Sequence, residues 1–138
     1  MKKTISVCIP NFRHKDVISD AVLSLLNQKI PKGYQLLEIL VNDNNSDDGA
    51  YEVVRELQKK YPIIRLERNP QNIGLVRNWN AVLKKAKGDI VGLFFSDDIF
   101  HPQLLESHLA IMERFGAQIV SAPGHFISGD ITNLKQDH

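Results

Sequence analysis

The sequence has one cysteine, Cys8, so no disulfide can form within the chain, and its place in the apolar run ISVCI favours a buried thiol. No apolar run is long enough to span a bilayer, and Pro10 interrupts the first one too early for a signal peptide. Charge of one sign is not in excess either, because 17 basic and 16 acidic residues leave a net charge of +1. These absences predict a soluble, cytoplasmic protein that could work at the inner face of a membrane, with no nucleic acid as partner.

Short apolar runs alternate with longer amphipathic stretches, which is the pattern of β-α units that build a parallel sheet. The five runs predicted as strands are TISVCI, LLEILV, IIRLE, DIVGLFF and AQIVSA. Helical spacing of apolar residues predicts four helices, over HKDVISDAVLSLLNQ, DGAYEVVRELQKKY, LVRNWNAVLKKAKG and PQLLESHLAIMERFG. We therefore predict one doubly wound α/β domain over residues 1–122 and a loosely ordered polar tail over residues 123–138.

Polar loops follow the predicted strands, and in an open parallel sheet ligands bind beyond the carboxyl ends of the strands. The loops read PNFRHKD, NDNNSDDG, RNPQNIGLVRN and SDD in chain order. Each has a purely structural explanation, because Asn and Asp favour turns and helix N-termini, where their charge complements the helix dipole. Their convergence on one edge of the sheet nevertheless indicates a binding site.

The adjacent acids Asp97 and Asp98 follow the apolar run VGLFF. A carboxylate pair at the end of a strand suits a divalent cation, Mn²⁺ or Mg²⁺, which takes oxygen ligands and completes its shell with water and substrate phosphates. The five histidines show no paired spacing on one element, which argues against zinc. A cation at the acid pair would neutralise charge on a departing diphosphate.

Taken in order, the motifs ISVCIPNF, VNDNNSDDG and NPQNIGLVRNWNAVLKKAKGDIVGLFFSDDIFHPQLL resemble family 2 of the nucleotide-sugar-dependent glycosyltransferases. The resemblance covers roughly residues 4–121 and its specificity lies in the ordered combination of motifs. It implies the GT-A fold, a Rossmann-like three-layer α/β/α arrangement with a mostly parallel sheet, here truncated. It also implies an inverting transfer from a nucleoside-diphosphate sugar, with a UDP-sugar as the default donor.

The resemblance assigns site residues by position. Asp98 is the expected metal ligand, Asp97 lies near it or near the ribose or diphosphate, and Asp43 is expected to meet the nucleobase. The residues that would bind the nucleotide sugar are Pro10, Asn11, Asp43, Asn72, Gly74, Arg77, Asn78 and Asp97. For Arg77, contact with the diphosphate or sugar and a solvated helix position remain open, and for Trp79 a core or half-buried anchor is favoured over sugar stacking.

The sequence departs from the family pattern in two places. The family's metal motif is of the Asp-x-Asp type, whereas this chain reads Ser96-Asp97-Asp98, with serine in place of the first acid. This chain also has Asn11-Phe12 where the family often has Thr-Tyr. No catalytic base is assigned, because Asp130 and Asp137 lack the context of the family's base motif.

Two functions of different class remain open. In the first, the chain is the donor-binding half of a glycosyltransferase of polysaccharide or cell-wall glycan biosynthesis, with a glycan or lipid-linked acceptor. In the second, it is a catalytically inactive nucleotide-binding or protein-interaction module. Self-association is expected through the face that the second half would cover.

Overall fold

The computed structural model of the chain describes residues 1–124. Its elements alternate as the apolar periodicity predicts. In chain order they are β1 (Lys3–Asn11), α1 (Ile18–Leu26), β2 (Tyr34–Asp43), α2 (Ala50–Lys60), β3 (Ile64–Arg68), α3 (Leu75–Lys85), β4 (Ile90–Leu93) and α4 (Leu104–Phe115). Four of the five predicted strands and all four predicted helices are therefore confirmed.

The four strands form one sheet in the order β3-β2-β1-β4, and every pairing among the described residues is parallel. The registers align Asn11 with Asp43 and Asp43 with Arg68, so β1, β2 and β3 end level with one another. Strand β4 is shorter, because it pairs with β1 only from Ile90 to Leu93. The carboxyl ends of the strands thus meet at one edge, and β1 extends beyond its neighbour β4.

Helix α3 lies on the opposite face of the sheet from α1 and α2. The connections from β1 to β2 and from β2 to β3 run across the sheet in one direction, and the connection from β3 to β4 runs in the other. Because such crossovers are right-handed, helices in connections of opposite direction lie on opposite faces of the sheet. On the α3 face, Cys8, Leu40 and Val82 form a fully buried cluster. The layered α/β/α arrangement predicted from the sequence is confirmed, and burial of these apolar side chains is its main stabilising term.

Gly88 lets the segment between α3 and β4 pass directly over β1. A Cβ atom at this position would lie 2.5 Å from the backbone nitrogen of Ser6. The close approach allows the Gly88 N–H to donate to Ser6 Oγ at 2.8 Å, and the Lys87 N–H donates to Glu38 Oε1 at 2.9 Å. Any side chain at residue 88 would separate these groups.

Glu38 is a buried acid beneath this crossing. Its carboxylate accepts hydrogen bonds from Ser6 Oγ at 2.7 Å, from the Lys87 N–H and from Arg65 Nη1 at 3.0 Å. Burial raises the pKa of Glu38, but the hydrogen bonds from Ser6, Lys87 and Arg65 together outweigh it, so the pKa lies below its ordinary value.

The chain divides into a unit of residues 1–107 and a unit of residues 108–138. In the second unit, the described residues are the end of α4 and an irregular segment over residues 116–124. The fifth predicted strand, AQIVSA at residues 117–122, is wrong. A strand requires a hydrogen-bonded neighbour, and within residues 1–124 this segment has none, so Ile119 is 89% exposed.

The loosely ordered tail predicted over residues 123–138 lies outside the described residues apart from Pro123 and Gly124. Within residues 1–124, every helix is too short or too polar to cross a membrane.

Candidate nucleotide-binding site

A cleft of about 690 Å³ opens at the carboxyl ends of the strands. It is lined by the loops after β1, β2, β3 and β4 and by the first turns of α3, with the residues Pro10, Asn11, Phe12, His14, Asn44, Asn72, Gly74, Leu75, Asn78, Trp79, Phe95, Ser96, Asp97 and Asp98. The topology therefore places the polar loops singled out in the sequence around one cavity, as the rule for open parallel sheets requires.

Seven of the nine predicted site residues line this cleft: Pro10, Asn11, Asn72, Gly74, Asn78, Asp97 and Asp98. Asp43 and Arg77 are not among the lining residues. Arg77 is exposed on α3, whereas Asp43 is fully buried behind the wall of the cleft.

Asp97 and Asp98 lie at the turn that follows β4. Burial raises the pKa of the Asp98 carboxyl, and the neighbouring charge of Asp97 raises it further. Two carboxylates that repel each other in a partly desolvated place are stabilised by a cation between or beside them. Within residues 1–124 no group of three or more His, Cys, Asp or Glu side chains could hold a metal, so water and ligand oxygens would supply the remaining ligands.

Ser96 precedes the acid pair and is almost completely buried. Its Oγ lies 2.6 Å from His14 Nδ1, which joins the loop after β1 to the loop after β4. Sequence reasoning missed this pairing, because the two residues are 82 positions apart. The serine that departs from the family's acidic motif thus has a partner in the wall of the cleft.

Asp43 organises the loops from inside. Its carboxylate accepts hydrogen bonds from Asn11 Nδ2 at 2.9 Å, from the Ser46 N–H at 2.9 Å and from Ser46 Oγ at 2.6 Å, and Arg68 Nε lies 3.4 Å away. Both of its oxygens are occupied by protein groups. The predicted contact of Asp43 with a nucleobase stays a prediction, while its contacts join the ends of β1, β2 and β3.

An ion pair joins the loops after β1 and β2 at the surface. Arg13 binds Asp47 through two hydrogen bonds, Nε to Oδ1 at 2.7 Å and Nη2 to Oδ2 at 2.6 Å. The guanidinium hydrogen bond lowers the pKa of the Asp47 carboxyl. Arg13 and Asn45 both have positive φ, at 57° and 62°, so each loop turns sharply where it meets the other.

Asparagine side chains line one part of the cleft, and further asparagines lie behind them. Asn42, Asn44, Asn69 and Asn78 are buried, and Asn72 is exposed at the mouth. Asn78 Nδ2 donates to the backbone oxygens of Asn42 at 3.2 Å and of Asn11 at 3.5 Å, which connects α3 to the ends of two strands. A wall of amides offers both donors and acceptors without a net charge.

Two aromatic rings also line the cleft. The rings of Trp79 and Phe95 lie 5.2 Å apart at an interplanar angle of 52°. Trp79 is half-buried, as an anchor would be, but it also lines the cleft. Sequence reasoning did not select Phe95, because it ends an apolar run and is indistinguishable there from a core residue.

An open parallel sheet with a polar cleft at its carboxyl edge defines a doubly wound α/β domain, the class in which ligands bind beyond the carboxyl ends of the strands. A match to a sequence family narrows the classification of the domain. The model of glycosyl transferase family 2 matches residues 6–138, and the chain belongs to that family.

Relatives of known description agree with this assignment. The abequosyltransferase RfbV of Salmonella typhimurium is 35% identical over 113 residues, which are 80% of this chain and 32% of that protein. The poly(ribitol-phosphate) beta-glucosyltransferase of Bacillus spizizenii is 32% identical over 73% of this chain and 16% of its own length. A third relative, the uncharacterized protein MT1568 of Mycobacterium tuberculosis, is 32% identical over 94% of this chain and 39% of its own length. The chain thus spans well under half of each of these relatives.

Solved structures share the fold. The chain superposes on Staphylococcus aureus TarS with a TM-score of 0.67 and 27% identity, covering 83% of this chain and 20% of that one. It superposes on the mannosyltransferase PcManGT of Pyrobaculum calidifontis, solved with GDP-Man and Mn²⁺, with a TM-score of 0.71 and 21% identity, covering 81% and 33%. The predicted GT-A fold is confirmed.

Proposed function

We propose that this chain is the donor-binding part of an inverting glycosyltransferase that uses a nucleoside-diphosphate sugar, with a UDP-sugar as the first candidate. The observation that carries the proposal is the convergence of Asp97, Asp98 and an asparagine-rich wall on one cleft, in a chain that belongs to glycosyl transferase family 2. The nucleoside diphosphate would lie across the strand ends, its phosphates toward the acid pair.

The acid pair fits a divalent cation, Mn²⁺ or Mg²⁺. Asp98 and Asp97 would hold the ion, which would offset both the burial and the neighbouring Asp97 charge that raise the pKa of Asp98. When bound, the cation supplies charge neutralisation for a departing nucleoside diphosphate. The small number of carboxylates suits an ion whose other ligands are water and phosphate.

The residues of the chain itself would bind and orient the nucleotide. Asn72 offers its amide to an oxygen of the nucleotide, and the unpartnered Oδ1 of Asn11 can accept from a ribose hydroxyl, whereas the amide of Asn78 is held by protein groups and supports the wall. Gly74, with a positive φ of 84°, brings backbone to the mouth of the cleft. Phe95 and Trp79 line the same cleft and would exclude water from it, which strengthens these polar contacts. No catalytic base is assigned within residues 1–124.

The acceptor would be a glycan or a lipid-linked saccharide, and the process polysaccharide or cell-wall glycan biosynthesis. Two relatives support this proposal by their descriptions, one transferring abequose and the other a glucosyl group to poly(ribitol phosphate). A place in the cytoplasm, at the inner face of the membrane, follows from such an acceptor.

A second candidate function is an inactive nucleotide-binding or interaction module. Exposed apolar side chains beside the cleft favour it, because Leu75 and Val76 at the start of α3 are 65% and 61% exposed. Such a surface would promote self-association of the chain. Sedimentation of the wild type and of a Leu75→Glu, Val76→Glu variant would test this, and equal monomer masses at high concentration would contradict it.

The proposed function is tested by calorimetric titration of UDP, GDP, CDP and ADP, first with Mn²⁺ and then with EDTA. We expect saturable binding of one nucleoside diphosphate that weakens when the metal is removed. Asp98→Asn should reproduce the effect of EDTA, whereas Glu52→Gln, an exposed acid on α2, should bind like the wild type. Absence of binding under both conditions would refute the proposal.

A further inference from the structure

A lysine outside the cleft begins a chain of side-chain amides. Lys85 Nζ lies 2.8 Å from Asn42 Oδ1 and 3.6 Å from Glu67 Oε2. Because an ammonium group only donates, the atom of Asn42 that faces it must be the oxygen. Asn42 Nδ2 then points away from Lys85 and donates to Asn69 Oδ1 at 3.1 Å and to Asn78 Oδ1 at 2.7 Å.

The same orientation passes along the next two amides. Since Asn69 accepts through its oxygen, its nitrogen faces the cleft side and donates to Asn44 Oδ1 at 2.9 Å. Asn44 Nδ2 in turn donates to Asn72 Oδ1 at 2.9 Å. All three donors of this sequence, Asn42, Asn69 and Asn44, are buried, so no water competes for their hydrogen bonds.

Backbone groups fix the other end independently. The Ile73 N–H donates to Asn44 Oδ1 at 3.0 Å, and the Gly74 N–H donates to Asn72 Oδ1 at 2.8 Å. A backbone N–H is an obligatory donor, so both oxygens must face the backbone. Lysine at one end and backbone at the other therefore require one and the same direction for every amide between them.

Asn42, Asn69, Asn44 and Asn72 form a chain of hydrogen-bonded amides that we call the amide relay. The nitrogen at its cleft end, Asn72 Nδ2, makes no hydrogen bond within residues 1–124. Asn72 Oδ1 receives two hydrogen bonds, while Asn72 Nδ2 has no acceptor within residues 1–124 and lies on a residue that lines the cleft. In the proposed function Asn72 Nδ2 donates to an oxygen of the bound nucleoside diphosphate, and we propose that Lys85 is a positioning residue that orients Asn42 and, through Asn42, Asn69 and Asn44, strengthens this donor.

This inference rests on the proposed function for the identity of the ligand. A chain of hydrogen bonds in a buried place polarises its members, and the cation at its start strengthens each donor that follows. The relay thus places a strengthened donor at the cleft without placing a charge there.

Asn72→Asp tests the donor. The variant keeps the oxygen that accepts from Asn44 and Gly74, and it replaces the free NH₂ by a second oxygen of negative charge. We expect at least about a ten-fold loss of affinity for the nucleoside diphosphate that the wild type binds, with the melting temperature retained. An unchanged affinity would overturn the assignment.

Lys85→Met tests the positioning role, with the adjacent exposed lysine in Lys84→Met as the matched control. We expect Lys85→Met to weaken binding about five-fold, the effect of one ordinary hydrogen bond, and Lys84→Met to leave it unchanged. Lys85→Arg, which keeps a cationic donor, should restore most of the affinity. Equal losses in Lys85→Met and Lys85→Arg would contradict a role through donation.

The relay has a readout that needs no ligand. In nuclear magnetic resonance spectra, Lys85→Met should shift the side-chain amide signals of Asn44 and Asn72, and Lys84→Met should not. Signals that stay in place would overturn the relay. A shift in a protein that binds no nucleoside diphosphate would support the relay and refute the proposed function, so the two failures are distinguishable.

Discussion

Replacing Asp43 by alanine should destabilise the domain before it affects any ligand. The carboxylate is fully buried and accepts three hydrogen bonds, from Asn11 Nδ2, the Ser46 N–H and Ser46 Oγ. Asn11 and Ser46 are themselves almost completely buried, so all three donors would be left without a partner. Water could not readily replace the lost acceptor.

The magnitude follows from these groups. An unsatisfied buried donor costs about 1–3 kcal/mol, and Asp43→Ala would leave three of them. Arg68 is half-exposed and 3.4 Å away, so its contribution is screened and adds little. We therefore expect Asp43→Ala to lower the free energy of unfolding by about 3–5 kcal/mol, or the melting temperature by about 10–20 °C.

The assay is urea denaturation followed by circular dichroism, with Asp47→Ala as the control. Asp47 is an acid of the same loop whose ion pair with Arg13 is exposed, so its loss should change stability little. If Asp43→Ala is as stable as Asp47→Ala but binds nucleotide more weakly, the carboxylate acts on the ligand and the structural reasoning is refuted.

Three further predictions concern other parts of the domain. Burial raises the pKa of the Cys8 thiol to about 12, so a thiol reagent should modify Cys8 only on unfolding, and rapid modification of the folded protein would contradict its place in the core. Gly88→Ala should unfold or strongly destabilise the domain, because its Cβ would lie 2.5 Å from the Ser6 backbone nitrogen. The control is Gly116→Ala, which has open space around it and is strained only by its φ of 62°. Similar melting temperatures for the two variants would argue against the close approach at Gly88. Because the pKa of Glu38 lies below its ordinary value of 4.5, the stability that its carboxylate contributes is present above pH 4.5 and is lost as the pH falls through the lower pKa of the folded state. The free energy of unfolding should therefore fall less steeply with acid for Glu38→Gln than for the wild type. Identical slopes would count against the buried hydrogen bonds.

The sequence was sufficient to predict the helices and strands and the edge of the sheet that carries the site. Apolar periodicity located all four helices, because each must bury one face, and it located the four strands that have neighbours. It failed at residues 117–122, since an apolar run predicts burial but cannot show whether a partner strand is present.

The interior of the site could not be predicted in the same way. The pairing of His14 with Ser96 and the direction of the amide of Asn72 depend on contacts between residues far apart in the chain. Asn and Asp in loops look alike whether they form turns, hold each other or face a ligand. Asp43 and Asn44 illustrate this, because both are buried and hold protein groups although both stand in a loop that looked exposed.

The different lengths of β1 and β4 have a consequence for how the cleft stays open. The last hydrogen bond between them is from the Phe94 N–H to Cys8 O at 2.9 Å. In a parallel pair, alternate residues face the same neighbour, so after Cys8 the next residue of β1 directed to that side is Pro10. Proline has no N–H to offer, so β4 gains less by continuing alongside β1. Pro10 thus ends the pairing of β1 with β4. Because the hydrogen bond that would continue this pairing cannot form, the space beside Pro10 stays open as part of the cleft.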